Sequence, residues 1–132
     1  MTRRILIIAA AASVGCQRPQ QRPADTLAPA RVADIWIRKD LRELPPADAV
    51  PPIAPASTLR IINTVYEGSG RIQVSLYDLK SSATALDAAQ RWRPSADTVF
   101  FYKQNYFAVL KWENADRAAV GAFVRDLEKR LD

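Results

Sequence analysis

The chain has 132 residues, 48% of them hydrophobic, with a formal charge of +5, nine prolines, four glycines, one cysteine and no histidine. That length suits one domain with accessory segments. The missing histidine removes the commonest general base and the commonest metal ligand, and a lone cysteine excludes an internal disulfide.

Arg3 and Arg4 precede an apolar run from Ile5 to Val14, and small residues follow. A positive n-region, a short apolar core and a small-residue end make residues 1–15 a signal peptide, too short to persist as a membrane span. Ser13-Val14-Gly15-Cys16 resembles the lipobox of bacterial lipoproteins, with serine where an aliphatic residue is usual. The resemblance implies diacylation of the Cys16 sulfur, cleavage before it and acylation of the new amine. Two or more acyl chains anchor stably where one does not. The expected location is the periplasmic side of the cell envelope. Gln17, in place of aspartate, favours the outer membrane over the inner. Ordinary secretion, with cleavage near Ala12 or Ser13, is the alternative. Cleavage at Cys16 takes Lys plus Arg from 19 to 17 against 14 acids and leaves +3. Because basic and acidic residues alternate, as in Arg125-Asp126-Leu127-Glu128-Lys129-Arg130, this surplus forms no nucleic-acid face.

Residues 16–56 are expected to be the lipidated cysteine and a proline-rich tether. Pro19, Pro23 and Pro29 stand among Gln, Arg and Ala, and a second tract runs from Pro45 to Pro55. Between them lies a short ordered segment near 32–44. The spacing of Ile37, Leu41 and Leu44 predicts a helix; the alternation of Ile35, Trp36 and Ile37 would suit a strand.

Residues 57–132 read as one ββαββα domain. Leu59–Tyr66 and Arg71–Leu79 are strands joined by the turn signal Glu67-Gly68-Ser69-Gly70. Pairing Tyr66 with Arg71 sets Ile61, Val65, Ile72, Val74 and Leu76 on one face and Ile62, Thr64, Tyr66 and Tyr77 on the other. Ser81 or Ser82 caps a helix that ends at Arg93-Pro94. Thr98–Lys103 and Tyr106–Trp112 form a second hairpin across Gln104-Asn105, and Asn114 caps a helix with the stripe Val120, Phe123, Val124, Leu127 and Leu131. The simplest assembly is an α+β two-layer sandwich: a four-stranded, largely antiparallel sheet with both helices on one face.

The second hairpin is apolar on both sides, whereas a sheet open to water on one side alternates polar with apolar. Something must cover the second face, and Tyr66, Tyr77, Phe101 and Trp112 are its expected partner or ligand residues. The occupants considered are residues 32–44 folding back, a homodimer or envelope protein, and a small hydrophobic ligand. Arg91 and Arg93, flanking Trp92 at a helix end, form a weak anion site. No catalytic residue, metal or cofactor is expected, since the chain has no Cys/His cluster, phosphate-binding glycine loop or Ser/His/Asp set.

Tyr66-Glu67-Gly68, Val74-Ser75-Leu76-Tyr77-Asp78, Ala89-Gln90-Arg91-Trp92-Arg93-Pro94, Val99-Phe100-Phe101-Tyr102-Lys103 and Tyr106-Phe107 together resemble a family of small uncharacterised exported bacterial proteins. The resemblance implies export and fold; the family has no assigned activity to carry over. The expectation is a membrane-anchored, non-enzymatic interaction module, with a carrier of a small hydrophobic ligand as the first alternative and an enzyme of unknown class as the second.

Overall fold

A computed structural model describes residues 21–132. The expected signal peptide, the lipobox-like Ser13-Val14-Gly15-Cys16 and the expected lipidation site lie outside the described residues. The elements are α1 (Ala24–Leu27), β1 (Arg31–Val32), β2 (Trp36–Leu44), β3 (Thr58–Gly68), β4 (Gly70–Leu79), α2 (Ser82–Arg91), β5 (Thr98–Lys103), β6 (Tyr106–Glu113) and α3 (Arg117–Arg130), with short 3-10 turns at Pro46–Asp48 and Pro55–Ser57. The fold is α+β around an antiparallel sheet. That sheet has six strands in the order β1-β2-β3-β4-β6-β5, not four, and it curls into a half-barrel.

The two extra strands come from the segment expected to be a helix. β2 pairs with β3 from Ile37 opposite Glu67 to Leu44 opposite Ile61, and its register shifts between Arg38 and Asp40. The bulge at Lys39 inserts one residue into the period-two alternation. Trp36 and Leu41 therefore reach one face of the sheet and Leu44 the other. The helix-like spacing of Ile37, Leu41 and Leu44 is that of two strand faces combined across a bulge.

The β3–β4 hairpin sets the faces of the remaining strands. Tyr66 pairs with Ile72, Glu67 with Arg71 and Gly68 with Gly70. The expected pairing of Tyr66 with Arg71 is one residue out, and a one-residue slip exchanges the faces of one strand relative to the other. The tip turns on Ser69 alone because Gly70 takes φ +135°, where an added Cβ would lie 2.5 Å from the Asn114 carbonyl oxygen. Ile62, Thr64 and Tyr66 thus share a face with Ile72, Val74 and Leu76. Ile61, Asn63 and Val65 share the other with Gln73, Ser75 and Tyr77.

Each face carries its own helix, which corrects the expected two-layer arrangement with both helices on one side. Val120, Phe123, Leu127 and Leu131 of the α3 stripe pack with Leu27, Trp36, Ile62, Tyr66, Ile72, Leu76 and Leu110. Phe123 is the centre of this layer, edge-on to Trp36 at 5.8 Å and to Tyr66 at 5.0 Å, contacts worth about 1 kcal/mol each beyond area burial. On the opposite side, Ala85 and Ala88 of α2 pack with Ile53, Ile61, Tyr77, Leu79 and Phe107. The doubly apolar second hairpin follows directly. Phe107 serves the α2 layer and its neighbour Ala108 the α3 layer.

The helix starts are set by local side chains. Ser81 Oγ accepts from the Thr84 N–H at 3.1 Å and caps α2. Asp116, rather than Asn114, caps α3, accepting from the Ala119 N–H at 3.2 Å. Asn114 instead takes φ 52°, a left-handed turn that asparagine tolerates.

The segment before β1 is fastened to the far end of the chain. Arg22 donates to the carbonyl oxygens of Arg130 and Leu131 at 3.0 Å and of Asp132 at 3.1 Å, and its guanidinium lies 5.3 Å from the centre of the Tyr106 ring. These are carbonyls that the end of α3 leaves without helical partners. Beneath them is a buried charge pair. Arg60 Nε meets Asp78 Oδ2 at 3.0 Å, Asp78 Oδ1 accepts from Asn105 Nδ2 at 2.8 Å, and Arg60 Nη2 donates to the Arg22 carbonyl oxygen. Lys103 closes the same corner, 2.7 Å from Asp132, and that hydrogen bond raises its pKa above the ordinary lysine value.

Candidate binding cleft

The residues expected to form one partner face do not share one. Tyr66, Phe101 and Trp112 belong to the α3 layer, whereas Tyr77 belongs to the α2 layer. Tyr66 is fully buried, with its hydroxyl donating to the Pro29 carbonyl oxygen at 2.7 Å, and burial pushes its phenol up to about 12. Phe101 and Trp112 are half-buried against the α3 layer. The apolar surface expected to need a cover is covered on one side by α3 with Trp36 and Leu41, and on the other by α2, Leu44, Ala49 and Ile53.

A cleft remains on the α2 side, where the sheet runs beyond the end of the helix. Its floor is Ile61 and Asn63 from β3, Ser75 and Tyr77 from β4, and Val109 from β6. Leu44, Asp48 and Val50 make one wall and Trp92 the other, enclosing ≈ 330 Å³. That volume lies at the small end of the range for ligand pockets. The proline tract read as a spacer supplies the first wall. Leu44 and Ala49 pack against the α2 layer and hold it there.

Trp92 ends α2 because Pro94 follows closely, and its ring rests 5.3 Å from Phe107. Phe107 is itself fully buried between Tyr77 at 6.2 Å and Phe100 at 5.9 Å. The indole wall is therefore backed by a packed aromatic cluster. Burial raises the Tyr77 phenol above its usual pKa, so it stays neutral at physiological pH.

The feature that composition does not explain is Asn63. It stands in the middle of β3, between Arg42 on β2 and Ser75 on β4, and its Oδ1 is buried with no hydrogen-bond partner among the described residues. A buried acceptor without a partner costs about 1–3 kcal/mol, and asparagine is depleted in strands. The sequence reading missed Asn63, although an asparagine inside a run of β-branched residues was the available signal.

Arg91 and Arg93 do come together. With Pro51, Pro52, Trp92 and Ser95 they line a second hollow of ≈ 700 Å³ that adjoins the first through Trp92. Arg91 is paired with Asp87 at 3.3 Å on the helix surface, while Arg93 makes no ion pair among the described residues. Among the described residues no group of three His, Cys, Asp or Glu could hold a metal ion, and no helix is long and apolar enough to cross a membrane.

Compared with known proteins, the chain matches no family model, no curated protein and no solved structure. The functional reading therefore rests on the sequence signals and on the cleft.

Proposed function

We propose that this chain is a lipid-anchored, non-enzymatic binding module of the cell envelope, tethered through Cys16 on the periplasmic side with the outer membrane favoured, and that it takes a small ligand in the Trp92 cleft. The signal-peptide layout and the Ser13-Val14-Gly15-Cys16 motif support the anchor. The observation that carries the ligand reading is the cleft itself, ≈ 330 Å³ above the sheet and walled by a tryptophan backed by Phe107. A small ligand is preferred over a protein partner because both sheet faces are already covered by the chain's own helices.

Two measurements test this reading. Processing should be sensitive to globomycin and the protein should take up labelled palmitate; a Cys16→Ser chain that stays membrane-bound would refute the anchor. Native mass spectrometry of the protein purified from envelopes should find a bound small molecule that a Trp92→Ala variant lacks. Equal occupancy in the two proteins would remove the cleft from the proposal.

A further inference from the structure

Both faces of the sheet are covered, but one of its edges is not. At one edge β1 is only two residues long, and very short edge strands resist pairing with another chain. The opposite edge is β5, Thr98-Val99-Phe100-Phe101-Tyr102-Lys103, which has no proline and no register shift in its pairing with β6. A bond just beyond the strand shows which way its backbone groups point. The Trp112 N–H donates to the Asp97 carbonyl oxygen at 3.0 Å, one step beyond Thr98 opposite Lys111. Hydrogen-bonded and non-hydrogen-bonded pairs alternate along an antiparallel ladder. Val99, Phe101 and Lys103 therefore turn their N–H and C=O groups towards β6, while Thr98, Phe100 and Tyr102 turn theirs away from the sheet. The Leu79 N–H, donating to the Asn105 carbonyl oxygen at 2.9 Å, sets the same alternation from the β4 side. Among the described residues the outward groups of Thr98, Phe100 and Tyr102 have no backbone partner. Tyr102 is 41% exposed, and the other five residues of β5 are half-buried.

We propose that β5 pairs with β5 of a second copy of this chain, antiparallel about a two-fold axis at Phe100, so that two sheets become one. The occupant is a second copy because this edge is complementary to itself. Only outward-facing residues can exchange ladder bonds across the seam. The register that uses all three sets Phe100 opposite Phe100 and Thr98 opposite Tyr102, twice. It also sets Val99 opposite Phe101 on the α3 side, an apolar cross-strand pair made twice. One step further, Asp97 of each copy comes opposite Lys103 of the other. Asp97 is exposed and makes no ion pair among the described residues. An edge with an acid at one end and a lysine at the other thus meets its complement when it is reversed. The helices leave room for the seam. α2 packs over β5 and β6, and strands lie about 4.8 Å apart, so the two copies of α2 stand about 14 Å apart, wider than the about 8–10 Å of helices in contact. A two-fold contact of this kind closes on itself. The edges left outside are the two-residue β1 strands, so assembly stops at two chains. The contact uses the sheet edge and is independent of any ligand in the Trp92 cleft.

Sedimentation of the purified full chain in density-matched detergent tests the pairing. The mass should rise from one chain towards two as the concentration is raised to about 1 mM, the range suited to a small interface. Tyr102→Pro removes an outward N–H that the β5–β6 ladder does not use, at an exposed edge position where proline is tolerated. It should weaken pairing at least about tenfold, with thermal unfolding verifying that the variant is folded. The register has its own test in a chain carrying Thr98→Cys and Tyr102→Cys. Along one strand these positions are about 14 Å apart, too far for a disulfide within a chain. Across the seam they are about 5.5 Å apart, within disulfide reach. Mild oxidation should link two copies well above the background set by the parent chain, whose one cysteine is Cys16. A parent chain that stays single up to about 1 mM, a folded Tyr102→Pro protein that pairs as well as the parent, or a double-cysteine chain that links no more than the parent would overturn the proposal. If the proline variant does not fold, the cysteine pair decides alone.

Discussion

Replacing Asn63 with leucine should stabilise the fold, the opposite of what substitutions in a central strand usually do. The native side chain holds a buried carbonyl oxygen with no partner, a cost of about 1–3 kcal/mol. Leucine keeps the branched four-heavy-atom skeleton, removes the unsatisfied acceptor, and its bulkier methyl groups extend into the open cleft against the Ile61, Tyr77 and Val109 floor. Asn63 is only half-buried, so the gain belongs at the lower end, about 1 kcal/mol, which for a domain of about 110 residues raises Tm by about 4 °C. Urea unfolding followed by tryptophan fluorescence measures it directly. The midpoint should rise with an unchanged slope, because the surface exposed on unfolding is the same. Asn63→Asp should be destabilising, since it buries a charge near the Asp48 wall. A leucine variant less stable than the parent by about 1 kcal/mol or more would mean that Oδ1 is satisfied in the folded protein.

Three further outcomes follow from the same packing. Asp78→Ala leaves the Arg60 guanidinium buried without its main partner and should cost about 3–5 kcal/mol in urea unfolding; Glu43→Ala, removing the exposed partner of the same arginine, should cost under about 1 kcal/mol. Gly70→Ala forces a Cβ to within 2.5 Å of the Asn114 carbonyl oxygen and 2.7 Å of that of Glu113 at φ +135°, so thermal unfolding should show a loss of at least about 2 kcal/mol. Tyr66 supplies a pH dependence. Desolvation raises its pKa from 10.0 to about 12, so between these values the unfolded chain has lost a proton that the folded one keeps. The associated stability, about 3 kcal/mol, is complete below pH 10 and disappears as pH rises towards 12. Tyr66→Phe should flatten that alkaline decline in chemical unfolding measured from pH 9 to 12.

The hairpins and helices beyond residue 57 were legible because each obeys a local rule: turn residues at the tips, a serine cap, and a 3.6-residue stripe on α3. The layering was not, because it depends on a single register. Reading Tyr66 opposite Arg71 rather than Ile72 moves the apolar set of one strand to the wrong side, so Tyr66 and Tyr77 were placed together although different helices cover them. Strand β2 was hidden by its bulge at Lys39, which replaces a period of two with a spacing that imitates a helix. The cleft was half legible. Arg91 and Arg93 drew attention as a charged pair around an aromatic. Asp48 and Val50 sat in a proline tract whose composition says spacer, and only tertiary packing shows that the tract walls a cavity.

The docking of Arg22 onto the carbonyl oxygens at the end of α3 has a geometric consequence for the proposed anchor. Six peptide units separate Cys16 from Arg22, and a fully stretched chain of that length reaches about 20 Å at most. Had the folded part begun near residue 57, the lead would have been several times longer, and the domain could have roamed far from the bilayer. Fastened at Arg22, a lipidated chain keeps that corner within one small-domain diameter of the headgroups. On the proposed anchoring, a ligand of the Trp92 cleft would be met close to the membrane surface.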